Sequence, residues 1–298
     1  MNFLYMLAGI RCAPLDMLFK FFTLFGEEFL VMTVLCALLW CADKKLAYRL
    51  GLVYFVSGMA VQTLKISFRT ERPWMIDPQF SPVEGSKLTA TGYSFPSGHT
   101  QSATALYGTL GLAAKRGWRK AVLLGIIILV ALSRMYLGVH TPLDVIGGFA
   151  ITAVICAALY YPLKKYDDTP ALIWILPLAL TAASSAAIIY TLYLINNGFV
   201  PVSEGVDCLK GAGAGLGFAI GYYIERRFIN YDEKAGTRWV KLLKLIIGLG
   251  MAFILRLGLK LLLGTSIWAD IVRYAILTLW VIAIYPALFS RLKCLQKV

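Results

Sequence analysis

Apolar runs long enough to form membrane helices follow one another along the chain, separated by short polar connections. We place nine of them from the sequence: residues 28–42, 47–66, 98–114, 119–138, 143–162, 171–195, 206–224, 242–263 and 268–289. An α-helix needs roughly 20 apolar residues to cross a bilayer, and most of these runs approach that length. The pattern predicts an all-α, polytopic membrane protein with about nine transmembrane helices.

The composition supports a membrane location. Hydrophobic residues make up 59% of the chain and charged residues 15%, whereas soluble proteins run at about 45–50% and about 25%. The net charge of +13 does not indicate nucleic acid, because no basic run outside the apolar frame is interleaved with aromatic residues. We therefore expect the lipid bilayer as a partner and no nucleic acid.

Basic residues are distributed unevenly over the connections between the apolar runs. More than half of the 29 Lys and Arg residues lie in one alternating set, at 43–49, 115–120, 163–169, 225–245 and 290–298. The opposite connections 196–205 and 264–267 contain none. Because cytoplasmic connections carry the excess of Lys and Arg, this predicts a cytoplasmic C-terminus and places loop 67–97 and turn 138–142 outside. An outer face means the periplasm or exterior for a bacterial plasma membrane, which we favour, or an organelle lumen in a eukaryote.

Three polar stretches at the predicted outer ends of apolar runs contain both histidines of the chain. They are Lys65 to Arg72-Pro73, then Pro96-Ser97-Gly98-His99, then Ser133-Arg134 to His140 and Asp144. Since all three stretches are predicted on the same face, we expect them to converge into one site.

His140 stands just before a predicted helix. Thr141 is suited to cap that helix and Pro142 to occupy its first turn. Asp144 is within reach of the imidazole if the intervening turn curls back, and a carboxylate on one ring nitrogen leaves the other free to attack. The alternative is a lone surface histidine near an unrelated acid at a helix start, and His140 alone does not separate the two.

His99 follows a serine and a glycine at the start of another predicted helix. Gly98 lets backbone N–H groups approach an anion, and the Ser97 hydroxyl is placed to hold a phosphate oxygen. His99 is then positioned to protonate a leaving group. On this tetrapeptide alone, an ordinary helix cap by Ser97 is the favoured interpretation.

The cations Lys65, Arg72 and Arg134 lie at the outer ends of apolar runs. Extension of the charged ends towards lipid headgroups is the simple explanation. The functional explanation is a cluster that binds phosphate and stabilises the charge of its transition state.

Taken together, the spacing is far more specific than its parts. The pattern Lys65-x6-Arg72-Pro73, Pro96-Ser97-Gly98-His99, Ser133-Arg134-x5-His140-x3-Asp144 resembles the three-part signature of the type 2 phosphatidic acid phosphatase superfamily. That group includes lipid phosphate phosphatases, undecaprenyl-diphosphate phosphatases, glucose-6-phosphatases and vanadium haloperoxidases. The resemblance covers about residues 45–165 and matches every signature position.

The resemblance implies a role for each of these residues. His140 would be the nucleophile that forms a phosphohistidine, Asp144 would orient it, and His99 would be the general acid and then the base. The phosphate would be bound by a set of five residues, namely Lys65, Arg72, Ser97, Gly98 and Arg134. No metal and no other cofactor would be needed.

Residues 167–298 lie beyond this signature. We predict a six-helix-type phosphatase core at 1–166 and a C-terminal extension of three transmembrane helices at 167–298. Glycines at 211, 213, 215, 217 and 221 suit close helix packing rather than nucleotide binding. Arg256 and Lys260 are four apart on one helical face, so they either pair with acids or snorkel, or they bind an anionic headgroup.

The sequence thus predicts an enzyme that hydrolyses a membrane lipid phosphate or diphosphate at the outer face. A soluble phosphate ester such as a sugar phosphate is the alternative substrate, and a non-catalytic lipid or phosphate transporter is the alternative class. The intact His140, Asp144 and His99 set argues against a transporter, since binding alone needs neither a nucleophile nor an acid. The sequence leaves the lipid, the oligomeric state and a lid role for loop 67–95 open.

Overall fold

The computed structural model describes residues 1–167 and 169–291, and all regular elements in these ranges are helical. The α-helices are α1 (Asn2–Gly9), α2 (Ala13–Thr23), α3 (Glu28–Cys41), α4 (Lys44–Phe68), α5 (Pro73–Ile76), α6 (Gly98–Ala103), α7 (Thr109–Ala113), α8 (Gly117–Tyr136), α9 (Pro142–Lys165), α10 (Leu172–Asn196), α11 (Val202–Ile224), α12 (Arg238–Leu263), α13 (Ile267–Leu279) and α14 (Tyr285–Arg291). Wider π-helical turns at Thr104–Gly108 and Trp280–Ile284 join α6 to α7 and α13 to α14, and another at Glu225–Ile229 follows α11. The all-α prediction is confirmed.

Each of the nine predicted runs contains a helix, but the number of spans is not confirmed. By length and composition, five helical stretches of the described chain can cross a membrane: Lys44–Ile76, Pro142–Lys165, Leu172–Asn196, Arg238–Leu263 and Ile267–Arg291. A sixth span forms if Ala13–Gly26 and Glu28–Cys41, which meet at 43°, are one broken helix. The chain is therefore an integral membrane protein with at least five candidate spans.

Four helix ends meet at one end of the bundle and position the polar stretches. Arg72, just beyond α4, contacts His140, which lies between α8 and α9. The backbone N–H of Ser97, just before α6, donates to the carbonyl oxygen of Asp144 in the first turn of α9 (2.9 Å). A methyl group added at Gly148 would lie 2.6 Å from the carbonyl oxygen of Ser97, so glycine is needed where α9 passes the backbone at Ser97.

The start of α9 is fixed by local chemistry. The Thr141 hydroxyl accepts from the backbone N–H of Asp144 (3.4 Å), and the Asp144 carboxylate accepts from the backbone N–H of Thr141 (2.7 Å). This reciprocal cap satisfies two backbone donors that a helix start leaves free. Pro142 occupies the first turn, as predicted. The cap therefore keeps the Asp144 carboxylate close to His140, the residue before Thr141.

Helix α11 packs inside the C-terminal half through its glycines. A methyl group at Gly213 or Gly217 would overlap the backbone of Ile271 or Ala275 in α13, and one at Gly215 would overlap the Ser184 side chain in α10. The predicted role of the glycines in close helix packing agrees with these contacts, and the partner helices belong to the same chain. Gly211 is the exception, because a methyl group there would have nothing within 4 Å.

The end of the bundle opposite the polar stretches contains a buried ion pair between the two halves of the chain. Lys44 Nζ lies 2.9 Å from Glu225 Oε1, and neither side chain is more than 8% exposed. The Tyr48 hydroxyl donates to the other Glu225 oxygen, and the Tyr231 backbone N–H donates to Glu225 Oε1 (2.8 Å). Lys44 also donates to the Tyr231 carbonyl. Both charges are thus hydrogen-bonded, as buried charges must be.

Candidate active site

His140 and Asp144 lie next to each other and are buried. His140 Nδ1 is 3.5 Å from Asp144 Oδ2, and the two side chains are 2% and 1% exposed. This separation exceeds that of a good direct hydrogen bond, which is about 2.7–3.2 Å. The pair is close enough for the carboxylate to orient the ring and to balance its charge.

Ser94 lies between these two side chains and was not anticipated from the sequence. Its hydroxyl donates to Asp144 Oδ2 (2.6 Å) and lies 3.5 Å from His140 Nδ1. Asp144 Oδ2 thus receives both the Ser94 hydroxyl and the Thr141 N–H. The side of the ring at Nδ1 is occupied by this network, so Nε2 is the ring nitrogen that faces away from it.

Arg72 is fixed beside the His140 ring by backbone carbonyls. Its Nε donates to the Gly92 carbonyl (3.0 Å), its Nη2 to that of Thr91 (2.7 Å) and its Nη1 to that of Val139 (2.9 Å). The same Nη1 lies 3.0 Å from His140 Nε2. A guanidinium held in this way presents a fixed positive charge at the nitrogen that would attack.

Lys65 and Arg134 are buried in the same region. Lys65 Nζ donates to the Tyr93 carbonyl (2.9 Å), and Arg134 Nη1 donates to the Thr23 hydroxyl (2.9 Å). Arg134 is 0% exposed, yet its Nε has no hydrogen-bond partner among the described residues. A buried donor without a partner is costly, and an oxygen of a bound anion would satisfy it.

His99 has its own carboxylate, which the sequence analysis missed. His99 Nε2 lies 3.1 Å from Glu27 Oε1, with side chains that are 16% and 36% exposed. Glu27 lies immediately before α3, and its sequence signal is the pair Glu27-Glu28 at the start of an apolar run. That signal is also typical of an ordinary helix start, so only the fold connects Glu27 to His99.

Ser97 caps α6, as the simpler of the two interpretations expected. Its hydroxyl accepts from the Thr100 backbone N–H (3.5 Å) and from the Thr100 hydroxyl (3.1 Å). The Ser97 hydroxyl hydrogen is not used in either contact, so it remains available to an anion. Gly98, the first residue of α6, has open space where a side chain would begin.

The electrostatic environment keeps His140 neutral. Burial lowers the pKa of His140 well below its ordinary value of 6.5, and the charges of Arg72, Arg134, Lys65 and His99 lower this pKa further. Arg72 supplies one of these positive charges, because a guanidinium stays protonated at pH 7. The site therefore combines a neutral imidazole, which is the nucleophilic form, with a positive surround.

The loop between α5 and α6 covers the site. Its residues 91–94 supply the carbonyls that hold Arg72 and Lys65 and the hydroxyl of Ser94. Phe80 and Val83 of the same loop are buried.

Arg256 and Lys260 lie some way along the chain from these motifs, at a cavity of about 500 Å³. The cavity is lined by four cations, Lys210, Arg256, Lys260 and Arg273, together with Asp270, Phe253 and Leu257. Arg273 forms an ion pair with Asp270. The side chains of Arg256 and Lys260 make no hydrogen bond or ion pair with any other residue that the structure describes.

One residue links this cavity to the covering loop. Asp207 forms an ion pair with Lys210 (2.9 Å), and its other oxygen accepts from the Thr91 hydroxyl (2.9 Å). Thr91 also holds Arg72 through its carbonyl. The cavity therefore borders the loop that covers His140.

Within residues 1–167 and 169–291, no group of three or more His, Cys, Asp and Glu side chains is arranged to hold a metal ion. The need for a metal is a matter for experiment, and metal independence stays a prediction.

Comparison with protein families gives two matches. The family described as the PAP2 superfamily matches residues 46–168. A second family, described as the PAP2 superfamily phosphatase transmembrane extension, matches residues 209–297. All three polar stretches lie inside the first match, and Arg256 and Lys260 lie inside the second. Glu27 lies outside both.

Curated relatives include phosphatases of several lipids. The chain is 29% identical over 217 residues to sphingosine-1-phosphate phosphatase 2 of Mus musculus, covering 70% of this chain and 59% of the relative. It is 32% identical over 168 residues to sphingosine-1-phosphate phosphatase 1 of Rattus norvegicus, covering 54% and 38%. It is 31% identical over 144 residues to the undecaprenyl-diphosphatase of Sulfolobus acidocaldarius, covering 47% and 67%. The chain thus spans less than two thirds of the sphingosine-1-phosphate phosphatases it matches. No solved structure matches the chain.

Proposed function

The chain belongs to the PAP2 superfamily, and from this membership and the geometry of the site we propose that it is an integral membrane phosphatase. Its substrate is a lipid phosphate or diphosphate, cleaved through a phosphohistidine without a metal. The relatives named above act, by their names, on a lipid monophosphate or a lipid diphosphate, so both classes are included.

One observation carries the proposal. Each of the two histidines has a carboxylate within 3.5 Å, and three buried cations surround them. A binding protein or transporter needs the cations but neither of the oriented imidazoles, so this arrangement favours hydrolysis over transport. The unpartnered Nε of buried Arg134 supports an anion at the centre of the cluster.

In the first half of the reaction, His140 Nε2 attacks phosphorus and forms an N–P bond. The bond from phosphorus to the ester oxygen breaks, and His99 gives its proton to that oxygen as the alcohol leaves. Arg72 and Arg134, with Lys65, stabilise the negative charge on the three equatorial oxygens. Asp144 balances the positive charge that develops on the His140 ring.

In the second half, a water molecule enters the place that the alcohol left. His99, now neutral, takes a proton from the water as its oxygen attacks phosphorus. The N–P bond breaks, inorganic phosphate is released, and both histidines return to their starting states. Over one turnover, His99 gives up one proton and takes up one, and the N–P bond that forms in the first half breaks in the second.

The test is phosphate release from a panel of lipid phosphates and diphosphates by the purified full chain in detergent, in the presence of a chelator. We expect release that vanadate inhibits, and its loss in His140→Ala and in His99→Ala while both variants still insert and fold. Near-wild-type turnover by His140→Ala would refute the mechanism. Hydrolysis of a sugar phosphate but of no lipid would favour the alternative substrate class, and no release from any phosphate would favour a transporter.

The site is proposed to face outward, with the C-terminus in the cytoplasm, most simply in a bacterial plasma membrane. The support is the placement of basic residues, because Lys44 and Lys165 lie at the ends of α4 and α9 opposite the site. A cysteine introduced at exposed Glu84 in the covering loop is expected to react with a membrane-impermeant thiol reagent in intact cells. Protection until the membrane is permeabilised would reverse the orientation.

Arg256 and Lys260 are proposed to bind a second anionic group of the headgroup. Their support is the cavity they line, their lack of a counter-ion within hydrogen-bonding distance, and the contact of Asp207 with the covering loop. Replacing both by Gln is expected to raise KM for a lipid diphosphate about tenfold more than for the corresponding monophosphate, which lacks the second group. Equal changes in KM for both substrates would remove this assignment.

A further inference from the structure

The segment 23–27, which runs from the last residue of α2 to the residue before α3, touches His99 and Arg134 of the proposed phosphate-cleaving site, although it lies outside the family matches. We propose that Glu27 is the positioning residue of His99 and makes it an efficient proton donor to the leaving alcohol. This inference rests on the proposed function and extends it to a part of the chain that no signature position covers.

The contact itself determines which ring nitrogen meets the substrate. His99 Nε2 lies 3.1 Å from Glu27 Oε1, so the Nε2 hydrogen is donated to the carboxylate. Nδ1 is then the nitrogen that exchanges a proton with the leaving oxygen. The carboxylate also favours the imidazolium, and it thereby opposes burial and the Arg134 charge, which lower the pKa of His99. A carboxylate that sets the tautomer of a catalytic histidine acts in this way in other hydrolases.

The segment is held rigidly enough to fix the carboxylate. A methyl group at Gly26 would lie 2.9 Å from the His99 carbonyl oxygen and 2.8 Å from a methyl of Val130, so the backbone runs directly against α6 and α8. The Tyr107 hydroxyl donates to the carbonyl of Phe25, the residue before Gly26 (3.1 Å). These contacts place the glutamate by packing rather than by its contact with histidine alone.

A second contact ties the same segment to the phosphate-binding cations. The Thr23 hydroxyl accepts from Arg134 Nη1 (2.9 Å), and Thr23 is buried. Thr23, which contacts the cation Arg134, and Glu27, which contacts the proposed proton donor His99, are thus separated by only three residues. The segment acts as one wall of the site.

The two histidines thus have separate carboxylates from separate elements. Asp144 comes from α9 and is part of the third signature stretch, whereas Glu27 comes from the start of α3. A plain structural ion pair between Glu27 and His99 is the competing explanation. The two explanations predict different effects of Glu27→Gln on the rate of leaving-group release. If Glu27 positions the proton donor, the variant slows only those substrates whose leaving group needs a proton, whereas loss of a structural ion pair slows all substrates alike.

The experiment measures release of the leaving group in the first turnover by the purified full chain in detergent. Two substrates are compared: an alkyl phosphate lipid, whose alkoxide needs a proton, and p-nitrophenyl phosphate, whose phenolate leaves without one. We expect Glu27→Gln to slow the alkyl substrate by about 10²-fold, the lower end of general acid contributions, and to slow the aryl substrate only a few-fold, with KM little changed.

The double variant Glu27→Gln/His99→Ala provides the sharpest comparison. If Glu27 acts through His99, the double variant releases p-nitrophenolate, which leaves without a proton, no more slowly in the first turnover than His99→Ala alone, because coupled residues are not additive. The matched control is Glu28→Gln, which removes the same charge one residue along and makes no contact with His99 among the described hydrogen bonds. It is expected to retain the wild-type ratio of alkyl to aryl rates.

An equal loss on both substrates, or a further loss in the double variant, would overturn the inference. If Glu27→Gln does not fold, Glu27→Asp replaces it in the test. This variant keeps the negative charge but has a side chain shorter by one methylene, which moves the carboxylate away from His99. It is expected to slow the alkyl substrate more than the aryl substrate, as Glu27→Gln does. These outcomes are separate from failure of the proposed function, in which the wild-type chain itself would release no leaving group from either substrate.

Discussion

The protonation state of a single imidazole decides whether the site can begin the proposed reaction. His140 is buried, and Arg72 approaches both of its ring nitrogens, at 3.0 Å and 3.4 Å. Burial and these positive charges favour the neutral ring. In the proposed mechanism, His140 is therefore in its nucleophilic form even below the pH at which an exposed histidine becomes protonated.

This protonation state can be measured directly, because the chain contains only two histidines. In His99→Ala, His140 is the sole imidazole, and we expect ¹⁵N NMR of the histidine-labelled protein to report a pKa below 6.5. Burial and the Arg72 charge, the two largest causes of the lowered pKa, both remain in this variant.

Adding Arg72→Gln to this variant removes a positive charge and is expected to raise the pKa of His140. One pKa unit corresponds to about 1.4 kcal/mol. A pKa that is already at or above 6.5 before the second change would contradict the electrostatic account of the site.

At this scale the sequence predicted candidate residues that the structure brings together, but it did not predict the residues that contact and orient them. The signature residues are found by their types and spacing, because the chemistry requires those types. Ser94 and Glu27 are ordinary polar residues in a loop and at a helix start, and nothing local marks them. Their contacts with Asp144 and His99 depend on how distant segments pack, which the order of residues does not reveal.

At the scale of elements, helix α11 shows how small residues determine which helices meet. The sequence predicted close packing from the glycine spacing, but it left open whether the partner was in the same chain. The structure places α13 against Gly213 and Gly217, and α10 against Gly215. The glycine spacing does not identify the partner helix, since any helix without bulky side chains on one face can pack closely against these glycines. The partner depends on the fold.

Gly217→Val is expected to destabilise the protein, because its side chain would overlap the backbone of Ala275, which cannot move aside as a side chain can. Overpacking of this kind costs about 1–3 kcal/mol, visible as a lower thermal midpoint in detergent. Gly211→Ala is the matched control, since a methyl group at Gly211 has nothing within 4 Å. Equal midpoints for the two variants would show that α11 and α13 do not pack as described.

The apolar runs also predicted helix positions better than they predicted spans. Every run contains a helix, yet α6 and α7 are short pieces joined by a π-helical turn, and α3 meets α2 at a bend. Hydropathy measures how apolar a stretch is, and it does not distinguish a helix that crosses the bilayer from one that is buried by its neighbours. The count of nine spans therefore stays a prediction.

At the scale of the whole molecule, the predicted division at residues 166 and 167 stays a prediction, and the packing crosses it in several places. Phe218 of α11 lies against Gly51 of α4, where a methyl group at Gly51 would collide with its ring. Asp207 of α11 holds Thr91 of the covering loop. The C-terminal half therefore touches the first half along the bundle and beside the site.

The ion pair between Lys44 and Glu225 adds a constraint on how such a chain can change over time. The two charges come from opposite halves and share one buried place, and leaving either of them alone there would cost about 3–5 kcal/mol. If one half of the chain were replaced by the corresponding half of a relative, that half would need a residue whose charge pairs with the one left in the other half. The two halves are thus expected to be inherited together, and substitutions at position 44 to occur with compensating ones at position 225.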